Sequence, residues 1–339
     1  MMIYVYTPDG TEKTGIIDQY ASAIWTVQFY GLGDFELITY PKYLDLIYPG
    51  VLLKKENNDN VMLVEKVAVK YDVENGNRVT VTGKSLKAIL CKRIVWSQMN
   101  LSGTVEDAIR QVITENAISP SDSARELPIR LETAHGYTET IEAQLFGDNV
   151  GEWIASVCNQ YGYGWDVVLD DGMVFKLYKG TDRTYTSGEP VVFSPKYGNI
   201  YTANYQISSD YTAALVGGEG DGTSKRTVSF GTASGVERVE AYIDGSSVSS
   251  NGEIITLETY LELLKSYGEE QIAQLPSSTS CECEIDAHGA FKLGVDYFLG
   301  DRIQIDLSSV YAVARITEII YSEDEGGERV LPTFSEWEV

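Results

Sequence analysis

The chain is poor in the residues that most often carry catalysis or covalent cross-links. It has 2 histidines, His135 and His288, and 4 cysteines among 339 residues. With so few histidines, Ser-His-Asp and Cys-His arrangements have little from which to form. Cys91, Cys158, Cys281 and Cys283 give no disulfide framework, and a reduced, cytoplasmic place of synthesis fits them. Cys281 and Cys283 would share one strand face near His288, but a fourth zinc ligand is not apparent, so small buried hydrophobes are expected there. Basic residues are scarce as well. Lys and Arg number 26 against 50 Asp and Glu, a formal net charge of −24. Such a chain should not bind the outside of DNA or RNA by neutralising phosphates, and solubility and self-repulsion are the plain consequences of the charge. No window approaches the ~18 apolar residues of a membrane helix. The start, MMIYVYTPDGTEK, lacks the charged and apolar regions of an export signal. No membrane insertion by this chain is expected.

What is present suits a β-rich protein with partners. Hydrophobic residues make up 43%, enough for a sizeable core, and 23 tyrosines stand against 9 phenylalanines. Tyrosine fits half-buried strand faces and contact surfaces, where the ring is dry and the hydroxyl wet. The length suggests about two to three domains.

One string occurs twice. Residues 297–334 contain Leu299-Gly300-Asp301, a tight turn, then Ile303 and Ile305 in strand alternation, then Val313, Ile316 and Ile319, then a turn at Gly326-Gly327 followed by Arg329-Val330. Residues 49–81 echo it. Pro49-Gly50 stands for Leu299-Gly300, Val51 and Leu53 for Ile303 and Ile305, Val64-Glu65-Lys66-Val67 for Val313-Ala314-Arg315-Ile316, and Gly76-Asn77-Arg78-Val79 for Gly327-Glu328-Arg329-Val330. This reads as one β-meander used twice, a barrel-like unit near each end. The first unit is expected over 1–99, completed by about 186–216, and the second over 217–339 with one helix.

Between them, residues 100–185 change character and read as an α+β insert. Thr104 and Asp107 have the form of a capping box, and Val105, Ala108, Ile109, Val112 and Ile113 make one helical face. A second helix is expected at about 149–161, stopped by Gly162, and a hairpin turns at Asp170-Asp171-Gly172. Ser85 should cap a short helix carrying Leu86, Ile89 and Leu90. A third helix should begin near Thr256 and end at Pro276, with Leu257, Leu261, Leu264 and Ile272 among its apolar residues. Gly217-Gly218-Glu219-Gly220-Asp221-Gly222 reads as a mobile junction. It leads into Thr223-Ser224-Lys225, the wrong order for a phosphate loop. Asn57-Asn58-Asp59 and Glu323-Asp324-Glu325 lack calcium-loop spacing and read as solvated hairpin tips. Catalytic, cofactor-binding and metal-binding residues are all expected to be absent.

Several loose motifs occur in one order along the chain. They are Asp18, Ser22-Ala23-Ile24-Trp25-Thr26, Gly33-Asp34-Phe35-Glu36, Gly83-Lys84-Ser85-Leu86 and Tyr161-Gly162-Tyr163-Gly164-Trp165. Gly180-Thr181-Asp182-Arg183, Val192-Phe193-Ser194, Gly198-Asn199, Gly218-Glu219-Gly220, Arg238-Val239-Glu240 and Leu299-Gly300-Asp301 follow. In this order the chain resembles the siphophage and prophage tail proteins of the baseplate-hub type, related to the hubs of contractile phage baseplates and type VI secretion spikes. The resemblance implies a mainly β fold with an α+β insert and two similar barrel-like tube domains in one chain. It implies a homotrimer that adapts a sixfold tail tube to a threefold spike or tip. The partners implied are a distal-tail or tail-tube ring and a spike or tape-measure protein, with DNA passing through the lumen without specific binding, in a virion assembled from chains made in the host cytoplasm. Some such proteins carry a C-terminal peptidoglycan hydrolase; here the sequence runs to Val339 directly after its last strand, and no lytic module is expected. Two other readings stand beside this one. A carbohydrate-binding receptor module would stack sugars on Tyr161, Tyr163 and Trp165, and a cell-wall hydrolase would hold two carboxylates at a set separation.

Overall fold

The computed structural model describes residues 2–338 except 57, 73–75, 208–209, 251, 253, 274, 276–278, 286–289, 309–310 and 325. The N-terminal strands are β1 (Ile3–Tyr6), β2 (Lys13–Ile17), β3 (Tyr20–Gln28), β4 (Asp34–Thr39), β5 (Leu52–Lys55), β6 (Val61–Lys70) and β7 (Arg78–Ser85). Period-two patterning makes them strands: on β3, Ala23, Trp25 and Val27 are buried while Ile24 is exposed. After β7 the expected short helix is a 3₁₀ segment, Leu86–Lys92, and Ser85 does not cap it. The Ser85 hydroxyl donates instead to the Leu32 carbonyl, tying the segment to the β3–β4 connection.

The insert contains β8 (Met99–Thr104), α1 (Val105–Ile113), β9 (Ile129–Leu131), β10 (Thr140–Leu145), α2 (Val150–Tyr161), β11 (Gly164–Leu169) and β12 (Met173–Tyr178). The Thr104 hydroxyl caps α1 by accepting from the Asp107 N–H at 3.1 Å. The box is not reciprocal: the short Asp107 side chain accepts the Thr104 hydroxyl proton at 2.7 Å. Asn149 caps α2, and Gly162, at φ +71°, ends it in the left-handed region. Asp171 and Gly172, both at positive φ, form the β11–β12 turn. Leu52, Leu63, Leu86 and Leu90 pack in the same cluster as Val105, Ile109, Ile154 and Trp165. The insert therefore shares its core with the N-terminal strands.

The rest is β13 (Asp182–Arg183), β14 (Val192–Phe193), β15 (Ile200–Ile207), β16 (Ala213–Gly217), β17 (Thr227–Phe230), β18 (Glu240–Asp244), α3 (Leu257–Ala273), β19 (Thr279–Ile285), β20 (Arg302–Asp306), β21 (Tyr311–Asp324) and β22 (Gly327–Glu338). Residues 186–216 do not complete the N-terminal unit as expected. β14 pairs with β20 and β15 with β19, so they join the C-terminal strands. The glycine-rich junction is not a bare linker either. The Glu219 N–H donates to the Tyr260 hydroxyl at 2.7 Å, and the Glu219 carboxylate accepts from the Ser250 N–H at 2.7 Å. The second bond pins it to the segment before α3 and the first to α3 itself, which with β16, β17 and β18 forms a small separate layer. α3 starts at the Thr256 cap as expected, but Leu257 is exposed and Tyr260, Leu263 and Leu264 are its buried side chains. Pro276 lies outside the described residues, as do Asn57 and Glu325 of the two expected hairpin tips.

A 14-stranded sheet runs through the molecule in the order β15-β19-β22-β21-β3-β4-β7-β6-β5-β1-β2, with β20 on β21. Within it one set of pairings recurs. The Gly50 N–H donates to the Val64 carbonyl at 2.8 Å, and the Val64 N–H donates back to Val51 at 3.0 Å. The Gly300 N–H donates to Ile316 at 2.8 Å, and the Ile316 N–H donates back to Asp301 at 3.0 Å. Both glycines have positive φ. The β6–β7 ladder shifts register between Val64 and Lys66, and the β21–β22 ladder between Ile316 and Glu318. The β3–β4 ladder shifts between Tyr20 and Ser22, and the β15–β19 ladder between Ile200 and Thr202.

These shared irregularities set the correspondence residue by residue, and they correct the one read from sequence. Gly50 matches Gly300 and Arg78 matches Arg329, as expected. Leu53, not Val51, matches Ile303, and Val64 matches Ile316 rather than Val313. Val51 stands where Asp301 stands.

Candidate assembly surface

The two sets of strands meet where β21 lies antiparallel to β3, with Ile319 opposite Val27 and Tyr321 opposite Trp25. Phe29 follows β3 at this seam and is fully buried. Its N–H donates to the Thr317 carbonyl at 2.8 Å, and the Arg315 guanidinium lies 5.6 Å from its ring. Gly300 and Gly164 both approach the Phe29 ring so closely that a Cβ on either would collide with it. The Lys87 ammonium donates to the carbonyls of Gln28 at 2.6 Å and Gly31 at 2.9 Å. Burial pulls its pKa down to about 8, against the smaller opposing pull of Asp166. Asp301 is buried and takes Arg183 at 2.5 Å, the Thr181 N–H at 2.7 Å and the Phe298 N–H at 3.0 Å. Sequence reading missed Phe29 and Lys87, took Arg315 only as a position in the repeated meander and took Asp301 only as a turn residue. A lysine inside the apolar run Leu86–Leu90 was the available signal.

Two strand edges are left over. Among the described strands β15 is the last of the sheet and pairs with β19. β6 is flanked by β7 along its length, but β5 covers only Val61–Leu63 on the other edge. Among the described strands nothing pairs with that edge of Lys66–Lys70, where Val69 is 37% exposed, as is Tyr71 beyond it at 76%.

The residues considered for chemistry do not converge. Cys91 is half-buried and Cys158 fully buried; burial raises both thiols, Cys91 to about 11. Cys281 and Cys283 are in register with Tyr205 and Ala203 on β15, and His288 lies outside the described residues. The His135 ring contacts Glu132 and stacks on Tyr137. Among the described residues no group of His, Cys, Asp and Glu could hold a metal ion. Tyr163 and Trp165 are fully buried, the first bonding Glu139 and the second donating to the Tyr30 carbonyl at 2.6 Å. Their faces are closed to a sugar. No helix among the described residues is long and apolar enough to cross a membrane.

The family model described as Siphovirus ReqiPepy6 Gp37-like protein matches residues 2–334. The chain belongs to this family of phage tail proteins. No curated protein matches the sequence. The fold is similar to that of a 43 kDa tail protein of prophage MuSo2 from Shewanella oneidensis, with TM-score 0.63 and 14% identity over 99% of this chain and 98% of that one. It is also similar to a tail protein from Neisseria meningitidis, with TM-score 0.59 and 13% identity over 98% and 96%. A chain of a Francisella PdpA-VgrG complex aligns with TM-score 0.50 and 10% identity over 100% of this chain and 54% of that one. The Gp37-like chain thus has a mainly β fold similar to that of prophage tail proteins.

Proposed function

We propose that this chain is the hub of a tail tip. Three copies form a ring that meets a sixfold tube or distal-tail ring on one side and a threefold spike or tape-measure component on the other. The observation that carries the reading is the recurrence of β5-β6-β7-β4-β3 as β20-β21-β22-β19-β15, with the same turn and the same ladder shifts. A closed ring of identical subunits with two like units each offers six like positions from three chains. The insert and the α3 layer would project from that ring. Part of the −24 charge would line its lumen, where phosphates find no cations to displace counterions.

The test is the native mass of the full chain. A species of three times 37.5 kDa is expected. A stable closed dimer, or turnover of purified peptidoglycan by the chain alone, would count against the hub.

A further inference from the structure

We infer that the outer half of β6 in one copy pairs antiparallel with β15 of a second copy, in a register fixed by the pairing of β21 with β3 inside the chain. This rests on the ring reading and specifies its interface. On β21, β20 covers the first half of one edge, as far as Arg315, and β3 takes the same edge from Glu318 to Glu323. On β6, β5 covers the matching first half and the second half is left uncovered. β3 uses one edge for β4 and the other for β21, whereas β15 uses one edge for β19 and is the last of the described strands in the sheet. Each leftover edge is thus the counterpart of an edge that is occupied elsewhere in the same chain.

The ladder shifts give the register. Lys66 corresponds to Glu318, since each follows the shift against its neighbour, so Val69 corresponds to Tyr321 and Lys70 to Ser322. Ser22 corresponds to Thr202 for the same reason, so Ile24 corresponds to Asn204 and Trp25 to Tyr205. Inside the chain Tyr321 faces Trp25 and Ser322 faces Ile24. Between copies Val69 then faces Tyr205, Lys70 faces Asn204, Val67 faces Ile207 and Tyr71 faces Ala203.

The chemistry agrees with that placement. One face of the new ladder matches Val69 and Tyr71 with Tyr205 and Ala203. The other sets Ala68 and Lys70 beside Gln206 and Asn204. Cross-strand neighbours of like polarity are what stabilise a sheet. At the internal seam Trp25, Val27 and Ile319 are buried on the apolar face, whereas Val69 and Tyr71 are exposed in the single chain. A strand edge left bare in this way is a template for another chain.

The test is oxidative cross-linking of the full chain carrying Lys70→Cys and Asn204→Cys, beside Lys70→Cys with Gln206→Cys as the off-register control. Native mass of the unsubstituted protein is measured in parallel. A trimer with efficient 70–204 cross-linking between chains, and at least tenfold less for 70–206, is expected. A trimer that cross-links at neither pair, or better at 70–206, overturns this pairing and leaves the ring standing. Efficient 70–204 cross-linking in an assembly that is not a trimer keeps the pairing and overturns the ring. A chain that stays monomeric and does not cross-link at high concentration overturns both.

Discussion

The turns at Gly50 and Gly300 have the same hydrogen bonds and the same sign of φ but different surroundings. Beside Gly50 a Cβ would meet only Pro8, at 3.8 Å. Beside Gly300 it would strike Phe29, at the seam where β3, β21 and the insert come together. The residue after each glycine differs in the same sense. Val51 is an apolar core residue, whereas Asp301 is a buried carboxylate holding Arg183 and two backbone N–H groups. The backbone pattern has been kept in both places, while the side chains answer to what each half packs against.

The sharpest way to break this likeness is a matched pair of substitutions. Gly300→Val combines a positive-φ β-branched residue with overpacking against a buried ring and should cost about 3 kcal/mol or more, whereas Gly50→Val carries the conformational strain alone, about 1–2 kcal/mol. Urea unfolding of both variants checks this, and equal losses would remove the distinction. Next comes Asp301→Val, which copies the other half. It strands the Thr181 and Phe298 N–H groups and Arg183, so a loss of about 2–3 kcal/mol is expected in the same assay. Lys87→Met should cost about 2 kcal/mol, because the carbonyls of Gln28 and Gly31 lose a buried donor at the end of β3; an unchanged midpoint would show that water replaces it.

A further effect concerns pH. Glu270 on α3 is half-buried and its carboxyl is pushed up to about 7, chiefly by desolvation, against a hydrogen bond from Ser156. The folded chain therefore holds this proton more tightly than the unfolded chain, whose Glu titrates near about 4.3. The corresponding stability is full below the unfolded value and is lost as pH rises through about 7. In Glu270→Gln this part of the pH dependence should vanish, as read from melting temperatures at pH 5 and 8. A slope identical to that of the unsubstituted protein would place the titration elsewhere.

Some of this was legible in the sequence for identifiable reasons. Gly76 and Gly327 head their strands with positive φ, and turn chemistry of that kind survives in the residue types, so Arg78 was matched correctly to Arg329. The match of Val64 to Val313 failed because the β20–β21 hairpin, counted from the pair Gln304 and Val313, holds two more residues than the β5–β6 hairpin, counted from the matching pair Lys54 and Val61, and the apolar residues recurring along β21 do not mark where the extra length falls. The ladder shifts at Val64 and Ile316 leave no residue-type signature. The seam was hidden for another reason. Trp25 and Tyr321 lie far apart in the chain, and nothing local marks either as the other's neighbour. The aromatic run at Tyr161–Trp165 was visible in the sequence, but residue types alone did not show that Tyr163 and Trp165 are buried in the insert core.

β21 is a strand of 14 residues, gripped by β22 on one edge and by β20 and then β3 on the other. Ladder bonds in antiparallel pairs lie across the strand direction. A pull along β21 therefore loads its bonds to three neighbours together, in shear, whereas a pull across it would open them one after another. Force delivered along this strand is carried from the C-terminal half into the N-terminal half as through a lap joint. The part of the molecule that joins its halves is thus also a tie that resists tension along its length.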